Sequence, residues 1–321
     1  MRRLTIRLAA AGVAALASVS LAASPTAAVP AGEPPFRHDV LPTLVPNLVS
    51  FYDFEHPVAE NPAQERDLGQ SGTNLNLING GADMRAFDHA YPSSRNALDT
   101  KQVSPGVPSR DDWKAGLYSE TGVPSLHRFN AAREITIMAW VKLTGENPGR
   151  NSATGFYGAI GLVGLLSGDS DGHAVRALLE LIKVDDVLRV VALGRRIDGA
   201  SSQTFAATED WHTLLPQNEW VHLAATFNYD TGAMALYKNG RPIPGFYVLP
   251  GDPWQVKDTP GPHLTSPTDP RGIKIAGSFP QNTREANPCT CRFDSLMFLD
   301  REVRPWEVFA QYVIAARRLP G

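Results

Sequence analysis

Apolar residues alternate with polar or small ones along residues 218–243, and this is the clearest pattern in the chain. From Trp220 to Phe227 the apolar odd-numbered residues share one face of an extended chain, and the even-numbered residues share the other. A period of two over this run predicts a half-buried β-strand. Asn228–Gly232 then supplies turn residues. Asn239-Gly240 predicts a second, tight turn, because both central residues of a type I′ turn need positive φ.

Similar alternating or continuous apolar runs predict further strands along the chain. They are residues 75–78, 135–143, 173–184, 187–193, 204–211, 272–276 and 292–298. A helix is predicted over Pro305–Arg317, because proline suits the first helical turn. Trp306, Phe309 and Val313 recur there at helical spacing, so we expect this face to be buried. The pattern predicts an all-β protein with opposed antiparallel sheets around one core.

The N-terminus has the pattern of a secretory signal peptide, with three arginines among its first seven residues and an apolar, alanine-rich stretch over residues 8–23. Cleavage is predicted after Ala28, or alternatively after Ala31. A membrane anchor is the other interpretation, but serines and Pro25 interrupt the stretch. We therefore predict a signal peptide over residues 1–28, an extended lead-in over 29–45, and one domain over 46–321. The expected location is extracellular, with no transmembrane anchor after cleavage.

Composition narrows the class of partner. The net charge is −3 and 20 % of residues are charged, so the chain lacks the basic character expected of a nucleic-acid-binding protein. Twenty-seven glycines and 26 prolines are dispersed along the sequence, which favours an all-β protein with many turns over a disordered one. We expect a monomer.

Cys289 and Cys291 are the two cysteines of the chain, and one residue separates them. An exported protein meets an oxidising environment, so we predict a local disulfide that closes a very small loop. A redox-active pair is the less favoured interpretation, because two residues usually separate the cysteines of such a pair. Zinc binding would need two more suitably spaced ligands.

Four ordered motifs resemble laminin G-like (LamG) domains of the concanavalin A-like type. They are LVSFYDFE at residues 48–55, ITIMAWVKL at 135–143, EWVHLAATF with its following LYKNG at 219–240, and RFDSLMFLDR at 292–301. The resemblance extends from about Pro46 to Tyr312. It implies a concanavalin A-like antiparallel β-sandwich, a jelly roll, with a short C-terminal helix. It implies much less about function, because one fold hosts many activities.

The same resemblance implies a structural calcium ion near the first strand. Asp53, Glu55 and Asp67 are the candidate ligands there, and Asp294 occupies the position of a recurring aspartate in the closing strand. Carboxylate oxygens suit Ca²⁺. The alternative is that these acids are solvated turn residues.

Candidate ligand contacts come from aromatic and acidic residues in loops. Residues 242–268 are predicted to form a long, proline-rich loop that carries Tyr247, Asp252 and Trp254. Long loops are usually functional or disordered, although this one equally suits a lid over a sheet edge. Trp113, after two aspartates, is a further candidate for stacking on a sugar, and the alternative is that it caps the core.

The chain lacks the common short motifs of hydrolases and nucleotide-binding proteins, so no catalytic residue is assigned. Glu180 is the one acid within a strand that could point into a concave face, and His222 is expected to be a packed and hydrogen-bonded structural residue. The leading hypothesis is a secreted, non-catalytic binding module for a carbohydrate or another extracellular polymer. The alternatives are a carbohydrate-active enzyme, a lyase or hydrolase, that uses Glu180, and a cell-surface protein-interaction domain without a small ligand.

Overall fold

Antiparallel strands form two sheets that face each other across an apolar core. The structure is a computed structural model that describes residues 39–104, 111–148, 159–166, 175–195, 202–250, 269–277 and 288–317. These residues all lie within one compact unit, His38–Gly321. The predicted signal peptide lies outside the described residues.

The strands are β1 (Leu48–Tyr52), β2 (Pro57–Val58), β3 (Asn61–Glu65), β4 (Leu75–Ile78), β5 (Arg85–Phe87), β6 (Asn96–Thr100), β7 (Lys114–Tyr118), β8 (Glu134–Leu143), β9 (Ala159–Leu166), β10 (Ala177–Val184), β11 (Val187–Arg195), β12 (Ser202–Ala207), β13 (Val221–Asn228), β14 (Met234–Lys238), β15 (Arg241–Ile243), β16 (Gly245–Tyr247), β17 (Gly272–Ile275) and β18 (Cys291–Leu299). The α-helices are α1 (Trp211–Leu214) and α2 (Pro305–Ala316), and short 3₁₀ helices cover Val45–Asn47, Gly81–Met84 and Pro124–Asn130.

The smaller sheet has the order β15-β14-β13-β8-β18-β6-β5, and the larger has the order β16-β12-β11-β10-β9-β17-β7-β4-β3-β2. Strand β18 joins the two ends of the domain. Its first half pairs with β6, and its second half pairs with β1, where Tyr52 lies opposite Leu296. An irregularity between Asp294 and Met297, with Ser295 at φ 45°, separates the two halves.

Turn chemistry explains several hairpins. Asn239 and Gly240 have φ values of 50° and 77°, and they connect β14 to β15 as the sequence predicts. Asp185 and Asp186 adopt φ values of 51° and 62° between β10 and β11. Aspartate tolerates this left-handed region better than most residues, so a two-residue turn fits here without glycine.

The predicted faces of β13 are confirmed, but the prediction that this strand is half-buried is wrong. The odd-numbered side chains from Val221 to Phe227 lie in the core between the sheets. His222, Ala224 and Thr226 on the other face are at most 2 % exposed. A second apolar layer covers this outer face: Leu44 from the N-terminal segment and Val308 from α2 belong to it.

Helix α2 begins at Pro305 as predicted, but it buries a different face. Val308, Gln311 and Ala315 are buried, whereas Trp306 is 54 % and Phe309 is 48 % exposed. Apolar residues occur on both faces of this helix, so spacing alone could not select the buried one.

Two other predicted segments also differ. The strand predicted over residues 204–211 ends at Ala207, because Asp210 caps a short helix that contains Trp211. The loop predicted from residue 242 onward instead continues β15 and forms β16, and residues 251–268 lie outside the described part.

Candidate functional site

Acidic residues that flank β1 line a cavity of about 370 Å³, which we call the acid cavity, and Arg317 from the C-terminal end lines it too. Asp53 and Glu55 follow β1, and Asp39 precedes it. The polar residues lining the cavity are Asp39, Asp53, Glu55, Tyr91, Ser93, Ser94 and Arg317.

Asp294 lies directly behind Ser94 and is fully buried. Its carboxylate accepts hydrogen bonds from Ser94 Oγ at 2.5 Å and from the backbone N–H of Ser295 at 2.7 Å. Burial raises the pKa of Asp294 well above its ordinary value, these hydrogen bonds oppose the rise, and the negative charges of Asp53 and Glu55 add to it. Three of the predicted metal ligands therefore interact electrostatically.

The side chains in the cavity are held in place by their neighbours. Glu55 accepts hydrogen bonds from the backbone N–H groups of Arg95 and Asn96, both at 2.6 Å, and from Asn96 Nδ2 at 2.7 Å. Asp53 accepts the backbone N–H of Glu55 at 3.1 Å. Tyr91 donates to Asp39 at 3.2 Å. Burial, and then the charges of Asp294 and Asp39, raise the pKa of Tyr91.

Asp67, the fourth predicted ligand, does not line the acid cavity. Its carboxylate accepts backbone N–H groups from Phe51 at 2.8 Å, Gly69 at 2.7 Å and Thr73 at 3.0 Å, and it also bonds Ser71 Oγ. Burial raises the pKa of Asp67, and these hydrogen bonds oppose the rise. The geometry gives Asp67 the role of fastening its loop to β1.

Asp53 also belongs to a neighbouring group with His56 and Glu65. The ligand atoms of that group lie within 4.8 Å of one another. However, Arg85 Nη2 already neutralises Glu65 at 2.6 Å. The acid cavity is lined by three carboxylates and one guanidinium, that of Arg317. Carboxylate oxygens are the ligand type that Ca²⁺ prefers.

Two of the four predicted ligand contacts are described, and both have structural partners. Lys101 Nζ lies 3.5 Å from the ring centroid of Trp113, and Gly80 packs against the same ring. Tyr247 is 41 % exposed, but its hydroxyl accepts the N–H of Met234 at 2.9 Å and its ring packs edge-to-face on Phe205. Asp252 and Trp254 lie outside the described residues.

Glu180 points to the outer face of the larger sheet, because its neighbours Leu179 and Leu181 lie in the main core. The carboxylate is 2 % exposed and lies 2.7 Å from Lys274 Nζ, which is also buried. Lys274 fits between its strand neighbours because they are Gly116 and Gly164, which have no side chain. The one strand acid that the sequence singled out is thus part of a buried ion pair.

His222 packs beneath α2 on the outer face of the smaller sheet. Its ring lies 5.3 Å from Trp140 and 6.1 Å from Tyr312, measured between centroids. Among the described atoms Nδ1 has no hydrogen-bond partner. Burial lowers the pKa of His222 to about 4, so the ring is neutral at pH 7 and serves packing.

Cys289 and Cys291 are joined as a disulfide, and both are fully buried. Thr100 Oγ1 donates to the carbonyl oxygens of Cys289 and Cys291, at 2.9 and 3.1 Å. The pair therefore lies where β18 begins to pair with β6.

Residues 116–265 match the Laminin_G_3 family, the concanavalin A-like lectin/glucanases superfamily. The chain has a concanavalin A-like β-sandwich fold. The match begins in β7 and includes the β8 and β13 motifs, and the structure adds β1 and β18 to the same sandwich. No curated protein matches the chain.

Solved structures align with this chain at low sequence identity. The chain described as HCR/D-Sa-GBL1/C aligns with TM-score 0.50 and 11 % identity over 84 % of this chain and 52 % of its own length. The Botulinum Neurotoxin Type G Receptor Binding Domain aligns with TM-score 0.49 and 12 % identity, over 84 % of this chain and 51 % of its own length. Trypanosoma rangeli sialidase aligns with TM-score 0.47 and 12 % identity, over 84 % of this chain and 32 % of its own length. The chain thus spans about half the length of the first two structures and about a third of the sialidase. The likeness to the first structure concerns the fold alone.

Within the described residues of the concanavalin A-like domain, no helix has the length and apolar character needed to cross a bilayer.

Proposed function

We propose that the protein is an exported, non-catalytic binding domain that recognises a carbohydrate or another extracellular polymer. The observation that carries this proposal is the buried contact of 2.7 Å between Glu180 and Lys274 on the larger sheet. A general acid or base must reach its substrate, and glycosidases need a second carboxylate about 5–9.5 Å away. Glu180 instead contacts an ammonium group and is only 2 % exposed.

An exposed aromatic residue supplies surface for binding. Trp306 is 54 % exposed at the start of α2, whose other face is packed. Large aromatic side chains are mostly buried in folded proteins, and tryptophan is enriched at binding surfaces. The exposed ring therefore offers a surface on which a polymer unit could stack.

Export is supported by the arginine-containing, apolar N-terminus and by the disulfide of Cys289 and Cys291, because disulfides persist in oxidising compartments. N-terminal sequencing of protein recovered from culture medium tests it. A mature chain that begins at Val29 is the expected result, and retention of residues 1–28 in the recovered protein contradicts it.

We further propose that the acid cavity takes a structural Ca²⁺. Asp39, Asp53 and Glu55 would hold the ion, and Asp294 lies behind Ser94. The ion would join the segment before β1 to the segment after it and so stabilise this part of the domain.

The test of the binding function is native affinity electrophoresis of the full chain in gels containing soluble polysaccharides, together with a reducing-end assay on the same mixtures. We expect retardation by at least one polysaccharide and no release of reducing ends. Product release that Glu180→Gln abolishes would establish the enzyme hypothesis instead. Migration unchanged by every polysaccharide, with one protein partner recovered from the secreting cell, would establish the protein-interaction hypothesis.

A further inference from the structure

Trp306 stands in solvent at the start of α2. The helix begins at Pro305, and its packed face carries Val308, Gln311 and Ala315. Trp306 lies on the opposite side and is 54 % exposed. Its ring therefore contributes little to the packing of the helix on the sandwich.

The ring borders a cleft of about 600 Å³ between α2 and the first residue of β8, which we call the Trp306 cleft. Small-molecule sites in proteins typically occupy roughly 300–1,000 Å³. The residues lining it are Glu134, Arg301, Glu302, Arg304, Pro305, Trp306 and Glu307. One aromatic face and several planar polar groups therefore share one concave surface.

Hydrogen bonds hold the floor of the Trp306 cleft in place. Asn228 Nδ2 donates to Glu134 at 3.1 Å and to Glu302 at 2.9 Å, and the backbone N–H of Glu302 donates to Glu134 at 2.8 Å. The two carboxylates are thus oriented before any ligand arrives. A carboxylate has about four acceptor sites, so each retains capacity to accept further hydrogen bonds.

The wall beside α2 is equally well ordered. Arg301 forms two parallel hydrogen bonds to Glu307, at 2.7 and 2.8 Å. Arg301 also donates to the carbonyl oxygen of Thr43 at 3.1 Å. The charges of Arg301 and Glu307 neutralise each other. The remaining charged groups that a ligand would meet are the carboxylates of Glu134 and Glu302 and the guanidinium of Arg304. A preordered site of this kind loses less entropy when it binds.

We propose that the Trp306 cleft binds a neutral sugar unit of a polysaccharide. The apolar C–H face of a pyranose ring would lie on Trp306. Its hydroxyls would donate to Glu134 and Glu302 and accept from Arg304. This inference rests on the proposed function and names its site and its ligand class.

The charges of the cleft select among polysaccharides. Two carboxylates against one guanidinium give a small negative excess, which repels uronate and sulfate groups. Sugar hydroxyls, in contrast, donate readily to carboxylate oxygens, and such charge-assisted hydrogen bonds are strong. Neutral hexose or pentose polymers are therefore favoured over acidic ones.

The experiment compares Trp306→Ala with Phe309→Ala by affinity electrophoresis in gels that contain a β-glucan, a xylan, a galactomannan or a polyuronate. Phe309 is the matched control, because it lies on the same helix, is 48 % exposed and does not line the cleft. Thermal unfolding of each variant verifies its fold. We expect Trp306→Ala to weaken binding of a neutral polymer about tenfold or more, which corresponds to about 1.4 kcal/mol. Trp306→Tyr should restore part of the affinity, and Phe309→Ala should bind like the wild type.

Two results would overturn the inference while leaving the proposed function intact: equal binding of a neutral polymer by Trp306→Ala and the wild type, or binding of the polyuronate alone. A wild-type protein that no polysaccharide retards would overturn both.

Discussion

Ser94 Oγ donates a hydrogen bond of 2.5 Å to Oδ2 of Asp294, and 200 residues separate the two in sequence. This bond joins the loop between β5 and β6 to the closing strand β18. It also places a fully buried carboxylate behind a cavity that already contains Asp39, Asp53 and Glu55. The two ends of the domain therefore meet beside these carboxyl groups.

Calcium is expected to stabilise the folded protein. A ligand that binds only the folded state at 100 times its Kd adds about 2.7 kcal/mol, which corresponds to a rise in Tm of roughly 5–10 °C for a domain of this size. Differential scanning fluorimetry in Ca²⁺ and in chelator measures this rise. Asp53→Asn should remove it.

Asp67→Asn provides the matched control for that experiment. Asp67 accepts three backbone N–H groups away from the acid cavity, so its replacement should lower Tm but preserve the Ca²⁺ response. An equal Tm in Ca²⁺ and chelator for the wild type would contradict the calcium proposal.

Without calcium, Asp294→Asn is expected to raise Tm at pH 7. The folded state raises the pKa of Asp294, so its contribution to stability is present at acid pH and is lost as pH rises above the unfolded value of about 3.9. The neutral amide avoids this cost. The measurement is Tm in chelator from pH 4 to 8, and a variant that is less stable than the wild type throughout would show that the negative charge is needed for folding.

His222 should make the protein less stable in acid. The unfolded ring takes up a proton as pH falls below about 6.5, whereas the folded ring does so only near the pKa of about 4. Stability should therefore fall between these pH values by about 3 kcal/mol in total. Urea unfolding of His222→Phe should show a shallower pH dependence than the wild type.

Thr226→Val supplies the control for that titration, because Thr226 is buried on the same face of β13 and carries no group that titrates between pH 4 and 7. This variant should keep the wild-type pH dependence. Identical pH profiles for His222→Phe and the wild type would mean that the buried ring does not resist protonation.

The ion pair of Glu180 and Lys274 should show strong coupling. Lys274→Met leaves a carboxylate in a buried site, and breaking a buried pair in this way typically costs about 3–5 kcal/mol. Replacing both residues, as Glu180→Leu with Lys274→Met, should recover most of the loss. A double-mutant cycle by urea unfolding measures the coupling, and additive losses would show that each residue acts independently.

The disulfide should be present in protein recovered from outside the cell. A thiol assay on denatured, unreduced protein should detect no thiols, and reduction should release two. Because the loop is very short, reduction should cost only about 1–2 kcal/mol in the chain-entropy model. Two thiols before reduction would refute the prediction.

The sequence predicted β13 and its hairpins well, because a period of two and the Asn239-Gly240 turn are local properties. It did not predict that β13 is covered on both faces, since this depends on the docking of α2. The close approach of that helix needs Gly240, where a Cβ atom would lie 2.7 Å from Phe309 Cα. A contact between distant segments leaves no periodic signal in either one.

The candidate sites also depend on contacts between distant segments, which sequence patterns do not reveal. Asp53, Glu55 and Asp294 could be grouped from a resemblance in motif order, and strand pairing does bring them together. Asp67 could not be separated from them, because its role depends on three backbone N–H groups that sequence does not display. Trp306 was assigned to a buried face, so the cleft beside it was not foreseen.

The most direct test of the account is to incubate the wild-type chain with soluble neutral polysaccharides and to measure retention and reducing ends in the same samples. The account predicts saturable retention by at least one neutral polymer with no increase in reducing ends over time. Steady release of reducing ends, or the absence of retention by every polymer, would contradict it.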